Sequence, residues 1–380
     1  MDFDLSKEQK DIVKAAREFA QGEFPDRAEA FDQEESFDEM LHKKAAELGF
    51  VGVFIDEAYE GPGMGMLESC LIAEEFTAVD PGIAMAILSS CFGAEVVQAF
   101  GSEEQKKTYL PPLVLGEAVM GIALTEAEAG SDLGTVSTFA ARQGDDYVIN
   151  GSKVLITNGS RANSLLCLAA ADPENGDVNR RHSMVMVETD RDGFQARPIK
   201  GKLGARASDT AEVSFRNVSV PYSNLIGEPG RGLEAAAHHR LCNGLFAAAQ
   251  AVGIARAGLE ESMKHAKKRM VFNAPLSSFQ AIQFFMADMY IWIQAGRNLV
   301  CEAAWRLDHG KPDEKLTGAA KCFCSQMAVQ CADTALQVHG GYGYLADYKV
   351  QRLYRDAKVM EVYAGTAEMD KMIIARNLLG

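Results

Sequence analysis

With 380 residues, 47% of them hydrophobic, the chain is long enough to bury a sizeable core in two or three packed domains. A formal charge of −15 argues against nucleic acid or an anionic membrane as the main partner, while an anionic small ligand needs only a few local basic groups. No uncharged apolar run of about 18 residues occurs, so no transmembrane helix is expected.

The acidic start, Met1-Asp2-Phe3-Asp4-Leu5-Ser6, lacks the basic-then-apolar order of a secretory leader, and a cytoplasmic location is expected. The first third reads as helical. Ser6-x-x-Gln9 has the form of a capping box ahead of an apolar stripe at Ile12, Ala16 and Phe19, and Pro25 ends or interrupts that helix. A second helix is predicted over Phe37–Leu48, stopped by Gly49. Val51–Ile55 reads as extended, followed by a glycine loop from Gly61 to Gly65. Further helices are predicted near Leu67–Thr77 and Ile83–Phe100, with a turn and helix start at Gly101–Lys106.

After about Gly121 the pattern changes to short β-branched runs separated by turns. Tyr147-Val148-Ile149 leads into Asn150-Gly151, a hairpin signal, and Lys153–Thr157 leads into Asn158-Gly159. More strands are predicted at Leu165–Ala169, Ser183–Glu188, Ala211–Phe215 and Val218–Val220. From Gly232 onward long amphipathic helices return, over Leu233–Lys267, Leu276–His309, Asp313–His339 and a terminal pair. The organisation is a helical domain over 1–121, a β domain over 122–228 and a helical bundle over 229–380. The eight cysteines form no CxxC pair, which predicts buried free thiols in a reducing compartment, and the seven histidines show no metal-binding spacing.

The terminal pair carries the most informative stretch, Tyr363-Ala364-Gly365-Thr366-Ala367-Glu368. Gly365 permits a positive φ, and Thr366 can cap a helix carrying Met369, Met372, Ile373 and Leu379. The N–H groups at that cap form a natural contact for an anion or cofactor. Upstream, Leu124-Thr125-Glu126-Ala127-Glu128-Ala129-Gly130-Ser131-Asp132 combines small residues, which let the backbone approach a flat ring, with the Thr125 and Ser131 hydroxyls. Arg269-x-x-Phe272-Asn273-x-Pro275-Leu276-x-x-Phe279-Gln280 offers a guanidinium fork suited to diphosphate oxygens. Gln337-Val338-His339-Gly340-Gly341 offers backbone N–H groups that phosphate can approach.

In this order and spacing, these segments resemble those of the acyl-CoA dehydrogenases, flavoproteins that oxidise acyl-CoA thioesters. The resemblance covers essentially the whole chain. It implies a mainly α fold with an inserted β domain: an N-terminal helical domain, a central β-barrel and a C-terminal four-helix bundle, assembled as a homotetramer. It also implies FAD. Leu124, Thr125, Ser131, Leu155 and Thr157 would face the flavin, with Thr366 and Glu368 at the terminal turn. Arg269, Phe272 and Gln280 would hold pyrophosphate and adenine, and Gln337, Gly340 and Gly341 would reach a neighbouring subunit's FAD. Leu88, Arg240, Tyr363 and Gly365 would contact an acyl-CoA substrate, with Gly204–Thr210 closing over its thioester. Electrons would pass to an electron-transferring flavoprotein. An ordinary short- or branched-chain dehydrogenase, an oxygen-using oxidase and a flavoprotein that binds acyl-CoA without oxidising it are the alternatives.

The departures concern the chemistry. In this family a glutamate usually precedes Gly-Thr and removes the α-proton; here the residue is Ala364, which keeps only its backbone N–H. Some members with alanine there carry the glutamate one residue before the CoA-contacting arginine; here that residue is His239, an imidazole usable as a base near neutral pH. Leu155 stands where a tryptophan is usual, and Asn273 where glycine is common. On the acyl-pocket wall, Cys91 occupies the place from which an aspartate acts in relatives specific for alicyclic rings. The expected substrate is therefore a cyclohexene-carboxyl type acyl-CoA dehydrogenated 1,4, with Cys91 or His239 as the proton acceptor. Gly82, Ala84 and Ala86 are expected to leave room for the ring.

Overall fold

The computed structural model describes residues 4–380; the first three residues of the acidic start lie outside them. Helix α1 (Lys7–Glu23) opens on the expected capping box, with Ser6 and Gln9 exchanging side-chain and backbone hydrogen bonds at 3.0 and 3.1 Å. Pro25 begins α2 (Pro25–Glu34), where a missing N–H is harmless. Helices α3 (Glu39–Glu47) and α4 (Met66–Val79) fall where predicted. Val51–Ile55 is not extended but a series of tight turns. Gly52 and Gly63 take φ of 63° and 65°, and the N–H groups of Gly63 and Met64 donate to the Ile55 and Val53 carbonyls at 2.8 and 2.9 Å.

The helix expected over Ile83–Phe100 is two, α5 (Pro81–Leu88) and α6 (Ala94–Phe100), followed by α7 (Glu103–Val114). Between α5 and α6, Gly93 adopts φ 100° and Ser90 Oγ donates to the Ile87 carbonyl at 2.7 Å. An unbroken apolar run looks the same whether the helix continues or breaks, so periodicity passes over this turn.

Eight strands follow: β1 (Met120–Ala123), β2 (Phe139–Gln143), β3 (Asp146–Thr157), β4 (Ser164–Ala170), β5 (His182–Glu188), β6 (Phe194–Pro198), β7 (Thr210–Pro221) and β8 (Leu225–Ile226). They form one sheet in the order β6-β7-β3-β2-β4-β5-β8, with β1 parallel to β4. A single apolar core joins Tyr147 and Ile149 of β3 to Cys167 of β4, Val185 of β5 and Val213 of β7. Asn150-Gly151 is not a hairpin. β3 runs through it with a bulge against β7, where the Asn150 and Asn217 side chains bridge at 3.1 Å. Gly151 is required there because a Cβ would fall 2.3 Å from Thr138 Oγ1. The two strands predicted between Ala211 and Val220 are likewise one, β7.

Helix α8 (Gly232–Lys268) leads through the ribbon β9 (Met270–Val271) and β10 (Ala274–Pro275) to α9 (Gln280–Asp308), α10 (Glu314–His339), α11 (Lys349–Ala357) and α12 (Ala367–Leu379). α8 packs on α4, α9 and α10, and α12 packs on α10. The approach of α8 to α4 is close enough that a Cβ at Gly253 would lie 2.6 Å from the Glu74 carbonyl oxygen. Glu74 and Glu75 on α4 accept from Arg17, Arg256 and Arg297, tying α1, α8 and α9 to the same helix. Before the terminal turn Ala357 and Met360 are buried but Val362 is exposed, as are Met372 and Leu379 on α12. All eight cysteines are free, and seven are buried. Among the described residues no helix is long and apolar enough to cross a membrane.

Candidate active site

The β domain is seated on the break between α5 and α6. Asn158, at the end of β3 with φ 61°, donates from Nδ2 to the carbonyls of Ser89 and Met120 at 2.8 and 3.3 Å. Met120 N–H donates to Ser90 O at 2.8 Å, and Arg161 Nη1 donates to Ala86 O at 2.9 Å near the C-terminus of α5. These bonds satisfy carbonyls that a helix end leaves unpaired.

A buried ion pair shapes the Leu124–Asp132 loop. Lys153 Nζ on β3 donates to Leu124 O and to Glu126 Oε1, both at 2.9 Å. Glu126 also accepts from Ser137 N–H, Ser137 Oγ and Thr138 N–H. Burial pushes the Glu126 carboxyl up, but these donors outweigh it and bring it to about 2. Thr125 O accepts from Val154 N–H at 2.9 Å, so Leu124 and Thr125 lie against β3 beside Leu155 and Thr157. Leu155 adopts φ 58° and is 63% exposed, an apolar side chain held out from the sheet. Ser131 is exposed as well. An open apolar wall, two hydroxyls and a pinned loop suit one face of a flavin ring.

At the terminal turn, Ala364 and Gly365 take φ of 58° and 97°, and Thr366 Oγ1 caps α12 by accepting from Met369 N–H at 3.3 Å. Among the described residues the Ala364 amide finds no backbone acceptor. Arg240 on α8 lays its methylene stem 3.7 Å from where a Gly365 Cβ would stand, joining two predicted substrate residues. Lys321 donates to the Gly365 carbonyl and lies 3.4 Å from Asp370, which is 3.9 Å from Arg240. Lys321 and Arg240 stand beside this amide, with Glu361 and Glu368 acting on the same cluster alongside Asp370, and the amide N–H is the donor suited to a thioester oxygen that gains charge. Tyr363 donates its hydroxyl to Gln250 and packs against the bundle core. Glu368 is exposed in the first turn of α12.

Next to Arg240, His239 faces the other way, into a cavity of about 50 Å³. Leu88, Cys91, Phe92 and Glu95 line it from the α5–α6 break, and His239, Asn243 and Phe246 from one face of α8. Both predicted proton acceptors therefore meet in one pocket, whereas Tyr363 and Ala364 are not part of its lining. Gly82, Ala84 and Ala86 are packed in the core and do not line it. Burial pushes the Cys91 thiol up to about 12, which leaves it protonated and a poor base. Glu95 escaped the motif reading. Its only signal is a lone carboxylate in an otherwise apolar turn, Ala94–Val97.

The remaining cofactor residues lie elsewhere. Phe272 and Asn273 form the tip of the β9–β10 ribbon at φ 50° and 61°, which leaves Phe272 91% exposed. The asparagine tolerates this conformation; the phenylalanine is strained in it. The Arg269 guanidinium lies 5.7 Å from the Tyr342 ring centroid, which places Gln337, Gly340 and Gly341 at the same end of the bundle. Gln280, Gln337, Gly340 and Gly341 are exposed. The first turn of α8 touches β4 and β5 through Gly232, while Arg269 follows its last turn, about 55 Å away at 1.5 Å per residue. The residues predicted to face the flavin and those predicted to hold the diphosphate thus stand at opposite ends of α8 in one chain. Each set has the donors for its part of FAD: hydroxyls and an apolar wall at one end, a guanidinium, amides and open glycine backbone at the other.

Models of the N-terminal, middle and C-terminal domains of acyl-CoA dehydrogenases match residues 6–117, 121–218 and 230–379. A probable acyl-CoA dehydrogenase of Bacillus subtilis, YngJ, is 41% identical over the full length of both chains. Butyryl-CoA dehydrogenase from Megasphaera elsdenii superposes with a TM-score of 0.96 at 35% identity, covering 100% of each chain. A chain from a solved structure of the electron transferring flavoprotein of Acidaminococcus fermentans gives a TM-score of 0.97 at 38% identity, again over 100% of both. Matched along nearly all its length, the chain belongs to the acyl-CoA dehydrogenases, FAD-dependent oxidoreductases acting on CH–CH donors.

Proposed function

We propose that this enzyme dehydrogenates a compact acyl-CoA thioester, with a cyclohexene-carboxyl ring favoured, and takes the substrate proton with a group on the acyl-pocket wall. The observation that carries this is the apolar pocket lined by Cys91, Glu95 and His239, set against a terminal turn that offers Ala364 and no carboxylate. Phe92 and Phe246, edge to face with centroids 5.9 Å apart, give the pocket aromatic walls that suit a compact apolar ring. An α,β-unsaturated ring thioester has γ-hydrogens acidified through its conjugated double bond. A wall group can take one of them while a hydride leaves a second ring carbon, giving 1,4-dehydrogenation.

FAD, when bound, supplies the hydride acceptor. Leu124, Thr125, Ser131, Leu155 and Thr157 would hold its flavin, with Thr366 and Glu368 at the turn. The Ala364 amide would hold the thioester oxygen, with Arg240 and Gly365 beside it. Because Arg269, Phe272, Gln280, Gln337, Gly340 and Gly341 stand at the far end of α8, they would serve the FAD of a second copy, in a homotetramer. The open faces of α9 and α12, with Phe284, Tyr290, Ile291 and Met372 exposed, support such contacts. Electrons would leave to an electron-transferring flavoprotein, which the Acidaminococcus neighbour supports.

The test is anaerobic bleaching of the flavin band with straight, branched and ring acyl-CoA esters. Cyclohexene-carboxyl-CoA should bleach it fastest; faster bleaching by a straight chain removes the ring preference. On that substrate Cys91→Asp, which places a carboxylate in the cavity, should raise the rate at least tenfold, while Cys91→Ala, which removes only a protonated thiol, should leave it near parent. Equal rates for parent and both variants would take Cys91 out of the reaction.

A further inference from the structure

The acyl cavity contains a hydrogen-bonded pair that the family motifs do not explain. Glu95, in the first turn of α6, and His239, on α8, are 9% and 6% exposed. His239 Nδ1 lies 2.5 Å from Glu95 Oε1, while Glu95 Oε2 accepts from Gly93 N–H at 3.1 Å. The carboxylate is thus anchored to the turn between α5 and α6, and the ring to the carboxylate. A carboxylate accepts, so Nδ1 carries the proton, and in the neutral ring Nε2 then holds the lone pair that faces Asn243 Nδ2. Asn243 Nδ2 lies 3.4 Å from Nε2, too long for a strong bond. Asn243 Oδ1 is buried without a partner in the same place. That amide can present its nitrogen to the neutral ring and its oxygen to the charged one.

A buried pair of this kind is a poor way to stabilise a fold, because desolvation offsets most of the attraction. Its position says more. It lines the cavity next to Cys91 and Phe92, and it stands one residue from Arg240, which touches the terminal turn. We infer that Glu95 and His239 are the acid–base pair of the acyl cavity: His239 Nε2 takes the substrate proton, and Glu95 is the positioning residue that fixes the ring and stabilises its charge. This rests on the acyl-CoA reading above. In the step, the acidified C–H bond breaks, its proton forms a bond to Nε2, and its electron pair moves toward the thioester. A hydride leaves a second carbon for the oxidised flavin that the family's activity supplies. The substrate is oxidised by two electrons, and the proton stays on the imidazole until it exchanges with solvent.

Removing the Glu95 charge should slow the step at His239, because the imidazolium that forms there loses its counter-charge.

The experiment uses the FAD-loaded enzyme with butyryl-CoA and cyclohexene-carboxyl-CoA in D₂O. Deuterium uptake into the thioester is read by mass spectrometry, and flavin bleaching by absorbance. His239→Gln should cut both by about 10²–10⁴-fold with FAD content and acyl-CoA binding kept. Glu95→Gln should slow both, and Glu95→Asp, which keeps the carboxylate, should restore them toward parent. If His239→Gln loses FAD, His239→Glu is read in its place, and it should exchange deuterium at least as fast as parent. Parental exchange and bleaching in His239→Gln would overturn the pair and leave the acyl-CoA reading standing. Abolished exchange in Glu95→Gln with parental exchange in His239→Gln would make Glu95 the base, against the inference. A parent that binds FAD but bleaches with no acyl-CoA would overturn the underlying reading and this inference with it.

Discussion

Ala364→Glu is expected to raise the rate of flavin reduction by a saturated short acyl-CoA by about 10²–10⁴-fold, the usual worth of a positioned general base. Three features of the turn favour this. Ala364 already sits at φ 58°, so glutamate brings no backbone strain that alanine does not already carry. Among the described residues the Ala364 amide has no backbone acceptor, so a thioester oxygen can be bound there whatever side chain projects from the residue. Arg240 and Lys321 stand around Gly365, beside the amide N–H suited to an enolate-like oxygen. The measurement is stopped-flow bleaching under anaerobic conditions with butyryl-CoA. A variant that holds FAD and binds the thioester, yet reduces no faster than parent, would mean that the turn is not beside the α-carbon.

Lys153→Met should be the most damaging single change outside the acyl pocket. Lys153 is 0% exposed and Glu126 is 7% exposed, so removing the ammonium strands a carboxylate away from water. Breaking one half of such a pair costs about 3–5 kcal/mol. It also frees Leu124 O, which Lys153 holds at 2.9 Å, and with it the loop proposed to face the flavin. The variant should unfold at lower denaturant and lose FAD on gel filtration. Adding Glu126→Gln should recover part of the stability, because no bare charge is then left behind. A Lys153→Met protein with parental stability and full FAD content would refute the role given to the pair.

The same pair predicts a pH effect of known sign. The Glu126 carboxyl is held at about 2, below its ordinary 4.5. A depressed carboxyl stabilises the fold above its unfolded value and loses that contribution as pH falls through the folded one. Stability from this group should be complete above about pH 4.5 and disappear toward pH 2. In Glu126→Gln that part of the acid transition should be absent, as read by fluorescence-monitored acid titration.

What the sequence by itself determined are features written in local spacing. The Ser6–Gln9 capping box, the long helix from Gly232 to Lys268, the positive φ of Gly365 and the Thr366 cap each depend on residues a few positions apart. The order helix, sheet, helix follows from the same local patterns, and the absence of a carboxylate at Ala364 is legible directly. Tertiary structure alone decided the rest. Asn150-Gly151 has the local chemistry of a hairpin, but pairing with β7 and the approach of Thr138 extend it into a bulged strand. The run from Ile83 to Phe100 breaks at Ser89–Gly93 because β1 and Asn158 supply partners for the carbonyls exposed there. That break turns Glu95 toward His239 across 144 residues of sequence, and no spacing rule connects positions so far apart. Two ordinary residues, a carboxylate in an apolar turn and an imidazole on a long helix, become a pair only because α6 and α8 are packed around the same cavity.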